Sequence, residues 1–344
     1  MENVDKKFTL VGASSSEAAE LISKPALTFW QDAWRRFKKN KVAMVAMVVV
    51  FATIIFALVS AVVVPQHAAN NFNPNKVQVY KNLPPKIGSL GIPGFNGEFT
   101  SPGNTEPDNV YQEQNVPKGT SFVFGTDSLG RSIAKRTIVG LRISLVIAFA
   151  CILFDIFIGI TYGLVSGWFG GRVDTVMQRI IEIISSIPNL VVVTMLGLLL
   201  GQGIVSIVFA IGLFIWTGIA RQVRNMTLTL KERDFVLAAK TLGESPAKIM
   251  IKHLLPNMLG VIIVQIMFDI PAVIFFEAVL SAINLGVKPP TSSLGSLIND
   301  GIQSLQFYPF QLIVPAVVLS LLSLAFFLFG YGLRDAFDPK SSED

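Results

Sequence analysis

Cysteine and histidine are almost missing from this chain: Cys151 stands alone, and His67 and His253 are the only histidines in 344 residues. One thiol excludes an intrachain disulfide and a cysteine-cluster metal site. The two histidines are too far apart in sequence to make a metal site an expectation. Charge is also scarce, with 15% charged residues against 51% hydrophobic ones and a mean hydropathy of +0.58. A soluble domain of this length is far more polar, so the composition describes a polytopic membrane protein. No Gly-x-x-x-x-Gly-Lys-Ser/Thr phosphate loop occurs, and no long polar stretch is left to hold nucleotide. Nucleotide hydrolysis is therefore not expected in this chain, and no cofactor is expected in it. The net charge of +5 is not a nucleic-acid signature, because the cations flank apolar runs instead of forming one aromatic-lined patch. No internal duplication is visible either.

What is present is a series of apolar runs. Residues 1–42 are polar and end in Arg35-Arg36-Phe37-Lys38-Lys39-Asn40-Lys41, preceded by Phe29-Trp30-Gln31-Asp32-Ala33-Trp34, a pattern suited to an interfacial helix. The run that follows, at 43–64, is too long and too far from the terminus for a cleaved signal and reads as a first transmembrane helix. Residues 65–142 then form an external insertion, rich in Asn, Pro, Gly and Gln as far as 121, with an amphipathic lead-in to the second span. Hydropathy places five more spans at about 143–168, 180–200, 203–220, 258–284 and 311–332, giving a five-helix core over 143–333 and a tail at 334–344. With the N-terminus inside, 19 of the 28 Lys and Arg fall on the cytoplasmic side, which fixes the orientation and returns the C-terminus to the cytoplasm. Gly159, Gly163, Pro188, Gly197, Gly212, Pro271 and Pro315 suit helices that approach closely or kink.

The basic stretch from Arg221 to Pro256 interrupts this pattern and extends over a cytoplasmic loop, 221–257. A helix over Phe235–Leu242 is expected to end at Gly243, and Ser245-Pro246 supplies an N-cap and N1 proline for a second helix through Leu254. Leu255-Pro256 is expected to stop that helix. The apolar face of Val236, Ala239, Leu242, Ile249 and Ile251 needs a cover, and another protein is one. The plainer alternative is a loop that only joins two spans. The order Ala238-Ala239, Gly243, Leu255-Pro256 resembles the cytoplasmic signature of ABC-importer permeases. Leu237 replaces the family's usual Glu, and Lys252-His253-Leu254-Leu255-Pro256-Asn257 is similar to the form found in the oligopeptide, dipeptide and nickel branch.

Further segments carry the same resemblance. They are Phe124-Gly125-Thr126-Asp127-Ser128-Leu129-Gly130-Arg131, where Asp127 can pair with Arg131 across one helical turn, the stretch Glu277-Ala278-Val279-Leu280-Ser281 through Pro289-Pro290, and Gly332-Leu333-Arg334-Asp335-Ala336-Phe337-Asp338-Pro339. The resemblance implies an all-α, six-span permease of the type I importer fold in a bacterial cell membrane. It implies the C-type of two homologous permeases, forming a heterodimer. Its implied partners are the second permease, two cytoplasmic ATPases holding ATP and magnesium, an external substrate-binding protein, and a peptide. Ala238, Ala239, Gly243, Pro246, Ile249, His253, Leu255 and Pro256 would couple to the ATPases. Within the spans, Asp155, Asp269 and Glu277 are candidates for pore lining or helix-helix hydrogen bonds, with Glu182 nearer the cytoplasm. A nickel or other small-solute permease of the same branch is the alternative. A proton-coupled carrier is another, and it would need titratable groups in the pore.

Overall fold

Asn40 is the first punctuation of the fold. The computed structural model describes residues 28–88, 94–100 and 107–338; most of the N-terminal segment, parts of the insertion, and Pro339 with the rest of the tail lie outside the described residues. Helix α1 (Phe29–Lys39) ends where Asn40 leaves helical geometry, and the Asn40 side chain accepts the Ala43 amide to cap α2 (Lys41–Val63). Helix α2 is apolar on all sides, and only a narrow stripe is buried: Ala43, Ala46, Val50, Ala57 and Ser60. These recur at helical spacing, and the remaining valines and phenylalanines face lipid.

The core is built from α3 (Ile133–Phe169), α6 (Ile204–Leu230), α8 (Pro246–Ala282) and α10 (Phe310–Phe337), with α2 packed on the outside of α10 and α3. Glycines set the tightest contact. Gly159, Gly163 and Gly167 lie one helical turn apart on α3, and each faces the backbone of α6. A Cβ on Gly163 would come 2.5 Å from the Ala220 carbonyl oxygen, and one on Gly167 2.8 Å from that of Arg224. Between apolar helices in lipid, such backbone-to-backbone approach supplies dispersion and weak polar contacts that bulkier residues would forbid. Gly332 on α10 receives Ala43 of α2 in the same manner.

Three expectations change. The span at 180–200 is broken: α4 (Gly171–Ser186) and α5 (Asn189–Leu200) meet at an angle of 79°. Pro188 offers no amide and forces Ile187 into extended geometry, so the helix cannot continue. Among the described residues five helices are therefore long and apolar enough to cross a membrane alone, and the bent pair, taken as one span, makes six. Second, the helix expected to end near 220 runs to Leu230, because residues 221–230 contain no breaker. Third, Leu255-Pro256 does not stop the chain. Met250–Leu254 widens into a π-turn, in which the Leu255 amide reaches the Met250 carbonyl, and α8 continues through Pro256. The wide turn accommodates the missing proline donor, and the Asn257 side chain donates to the His253 carbonyl at 2.7 Å.

Outside the membrane, short helical turns at Gln66–Asn70, Val77–Tyr80 and Val110–Glu113 and a two-residue ribbon of β1 (Glu98–Phe99) with β2 (Asp108–Asn109) form a cap. Leu83 and Tyr111 are its buried centre. The Tyr111 hydroxyl donates to the Pro84 carbonyl at 3.1 Å, and burial pushes the phenol up to about 12.

Candidate coupling corner and transmembrane path

At the cytoplasmic end, α7 (Asp234–Thr241) and the start of α8 make a corner. Gly243, at φ +79°, closes α7, and the Glu244 amide reaches back to the Ala239 carbonyl at 3.1 Å. The carboxylate of Glu244 then ties the corner shut: Lys248 Nζ lies 2.9 Å from one oxygen and His253 Nε2 2.7 Å from the other. Lys248 first, and His253 second, hold this carboxyl below the ordinary glutamate range. Sequence reasoning missed Glu244; its spacing of four from Lys248, across a proline-started helix, was the available signal. Val236, Ala239, Ile249 and Leu254 are buried by the chain itself, against Ile219, Val223 and Met258. Of the apolar face read from the sequence, Leu242 (84% exposed) and Ile251 (65%) remain in the open, with Leu237 half exposed beside them. Ala238, Gly243, Pro246 and Pro256 are exposed, whereas His253 and Leu255 are half-buried. The corner is anchored to the bundle by Lys231, which donates to the Gly167 carbonyl at 3.0 Å, and by Lys240 over the Trp168 ring at 4.7 Å.

Within the membrane, α4, α5, α6 and α8 border a cavity of about 340 Å³, lined by Ser185, Asn189, Thr217 and Asp269 among apolar side chains. Asp269 accepts from Gln265 Nε2 at 3.0 Å. Asp155 is fully buried at the start of a second π-turn, Asp155–Gly159, and neither carboxylate oxygen has a hydrogen-bond partner among the described residues. Glu277 is also fully buried, but well satisfied: Ser144, Ser281 and Ser293 hydroxyls donate to it at 3.2, 2.8 and 2.6 Å. One of these donors, Ser293, is the N-cap of α9 (Leu294–Ser304), its hydroxyl also accepting from the Ser296 amide, so Glu277 holds the residue that caps the helix. The structure does not bring Glu277 together with the Asp269 cavity. Glu182 is exposed and pairs with Arg179 at 2.6 Å.

The comparisons decide the family. A model described as "Binding-protein-dependent transport system inner membrane component" matches residues 159–343, and one for the "N-terminal TM domain of oligopeptide transport permease C" matches residues 28–85. The chain belongs to the binding-protein-dependent inner-membrane permeases. It is 69% identical over all 344 residues to the dipeptide transport system permease protein DppC of Lactococcus lactis subsp. cremoris, covering 100% of both chains. It is 34% identical to the oligopeptide transport system permease protein OppC of Bacillus subtilis, covering 99% of each. An inward-facing structure of the MetNI methionine ABC transporter aligns with 59% of this chain and 97% of that chain, with a TM-score of 0.50 and 19% identity, a likeness of fold.

The permease is a multi-pass cell-membrane protein, and its outer end is held by an ion-pair cluster. Asp127 accepts from Arg131 Nε at 2.8 Å and from Arg136 Nη1 at 2.7 Å, and Arg136 reaches Asp300 of α9 at 3.3 Å. The Asp127–Arg131 pair expected across a helical turn does form, but in a tight turn closed by Thr126 and Ser132. Gly130, at φ +73°, bends that turn against Tyr80. The cap is fastened to this turn, since Leu83 donates to Thr126 Oγ1 at 2.8 Å and Gln311 of α10 to Asn82 and Thr126.

Proposed function

We propose that this permease forms half of the translocation pore of an ATP-driven importer that brings dipeptides or oligopeptides into the cell. Full-length identity to a dipeptide permease supports the substrate class. The observation that carries the coupling role is the corner. Leu237, Leu242 and Ile251 stand exposed on the side where the cations put the cytoplasm, on two helices that Glu244 clamps into one unit. An exposed apolar ridge of this kind fits a groove on a soluble partner. A chain with no phosphate loop needs such a partner to use ATP. In this reading two cytoplasmic ATPases hold ATP and magnesium, a homologous permease completes the pore, and an external binding protein delivers the peptide. Closure of the ATPase pair moves the corner, and α8 transmits that movement to the Asp269 cavity.

The test places Leu242→Asp together with Ile251→Asp in the full complex. We expect the permease to remain in the membrane while the ATPases no longer co-purify and labelled dipeptide uptake into ATP-loaded vesicles falls to background. Retained co-purification and uptake would put the docking site elsewhere.

A further inference from the structure

Helices α2 and α10 leave an apolar groove of about 520 Å³ between them, walled by Val42, Val45, Val49, Leu321, Leu324 and Leu328, with Lys41 at one end. We propose that this groove holds one acyl chain of an anionic phospholipid of the inner leaflet, with the headgroup phosphate bound by the cations at its cytoplasmic mouth.

Geometry supports that occupant. From Lys41 to Val49 the groove descends about 12 Å along α2, close to the roughly 15 Å depth of one leaflet. Its mouth is charged. Arg35, Lys38, Lys39 and Lys41 are exposed. Arg35, Lys39 and Lys41 have no ion-pair partner among the described residues, while Lys38 lies over Trp34 at 5.1 Å. The one acid of α1, Asp32, is already taken by Arg36, which also donates to the Asp338 carbonyl at 2.9 Å. Helix α1 is held in place for this role: Phe37 is buried against Phe329, and Trp30 meets Phe337 edge to face at 5.6 Å. Of these cations Lys41 lines the groove itself, and Lys38 and Lys39 immediately precede it at the end of a packed helix. A clustered set of lysines and arginines next to an apolar slot at the cytoplasmic face recognises an anionic headgroup and a chain together. The polar cavity around Asp269 involves neither α2 nor α10, so the groove lies away from the transmembrane path.

The complex, purified from membranes, is titrated with dioleoyl phosphatidylglycerol or dioleoyl phosphatidylcholine, and retained lipid is counted by native mass spectrometry. A cation near the surface contributes roughly a fivefold preference for anionic lipid at low salt, so phosphatidylglycerol should be retained at least about tenfold more tightly. Replacing Arg35, Lys38, Lys39 and Lys41 by Gln should erase that preference but keep residual binding of both lipids. Val45→Trp, which fills the groove from its exposed rim, should remove both. Equal retention of the two lipids by the wild type overturns the proposal. So does competition by soluble glycerol phosphate as effective as by phosphatidylglycerol, which would show a free-anion site. A photocrosslinker at position 45 that captures the second permease and no lipid also overturns it.

Discussion

Two carboxylates in one bundle meet opposite fates, and the difference is set by a few hydroxyls. Glu277 accepts three hydroxyl hydrogen bonds in a buried site, so Glu277→Leu would take that acceptor from Ser144, Ser281 and Ser293 at once. We expect a loss of roughly 2–5 kcal/mol, read as a lower unfolding temperature of the solubilised protein, with Glu277→Gln recovering part of it. Asp269 instead borders an open cavity with one bond from Gln265. Asp269→Asn should keep substantial ATP-dependent uptake, because an amide of the same shape retains that bond. Uptake abolished in an intact complex, together with inhibition of the wild type by a protonophore, would favour a proton-coupled carrier instead. Glu244 is the third case. Its folded-state pKa is depressed by Lys248 and His253, so its contribution is complete above the ordinary glutamate value of about 4.3. That contribution is lost as pH falls through the lower folded value. Amide exchange at 242–252 should therefore stay slow at pH 5 and rise only in stronger acid. Glu244→Gln should raise it at neutral pH while α10 is unaffected. Of these three, only Glu277 and Asp269 could be singled out from sequence, as ionisable residues in apolar runs. The Gln265–Asp269 bond spans one helical turn, but the Ser144 hydroxyl that Glu277 accepts from lies 133 positions away, which no local pattern encodes.

Helix contacts separate the glycines that matter from those that do not. Gly163→Ala puts a methyl 2.5 Å from the Ala220 carbonyl oxygen, whereas a Cβ on Gly197 meets only the flexible Gln202 side chain at 3.7 Å. Gly163→Ala should lower the unfolding temperature and abolish uptake, and Gly197→Ala should do neither; equal behaviour would mean that α3 and α6 are not packed as described. Both glycines looked alike in the sequence, since an apolar run reveals a span but not the face it turns to its neighbour. The same limit explains the corner: the apolar positions of α7 and early α8 were readable, but Val236 and Ile249 turned out to be covered by α6 and α8, leaving Leu242 and Ile251 free. The helix end at Gly243 was read well, where glycine takes a left-handed turn, whereas the break at Asn40 was not read from the sequence. Pro256 was misread as a helix end, where a π-turn absorbs the proline.

Helix α8 runs without a break from Pro246 to Ala282, a length of roughly 54 Å at helical rise. One end carries the cytoplasmic corner, its middle carries Asp269, and its far end holds Glu277 and, through it, the external helix α9. The cap and the Asp127–Arg136–Asp300 cluster fasten the outer ends of α3, α9 and α10 to one another. Asp127→Asn should loosen that fastening, seen as faster proteolysis of the 65–121 segment with the spans still protected. A single rod joining two aqueous faces also imposes a thermodynamic symmetry. If the posture of α8 changes what the corner can bind, then a protein engaging the outer face must alter affinity at the corner by the same factor that engagement at the corner alters affinity outside. The two faces of the membrane thus report on each other in equal measure, whichever is occupied first.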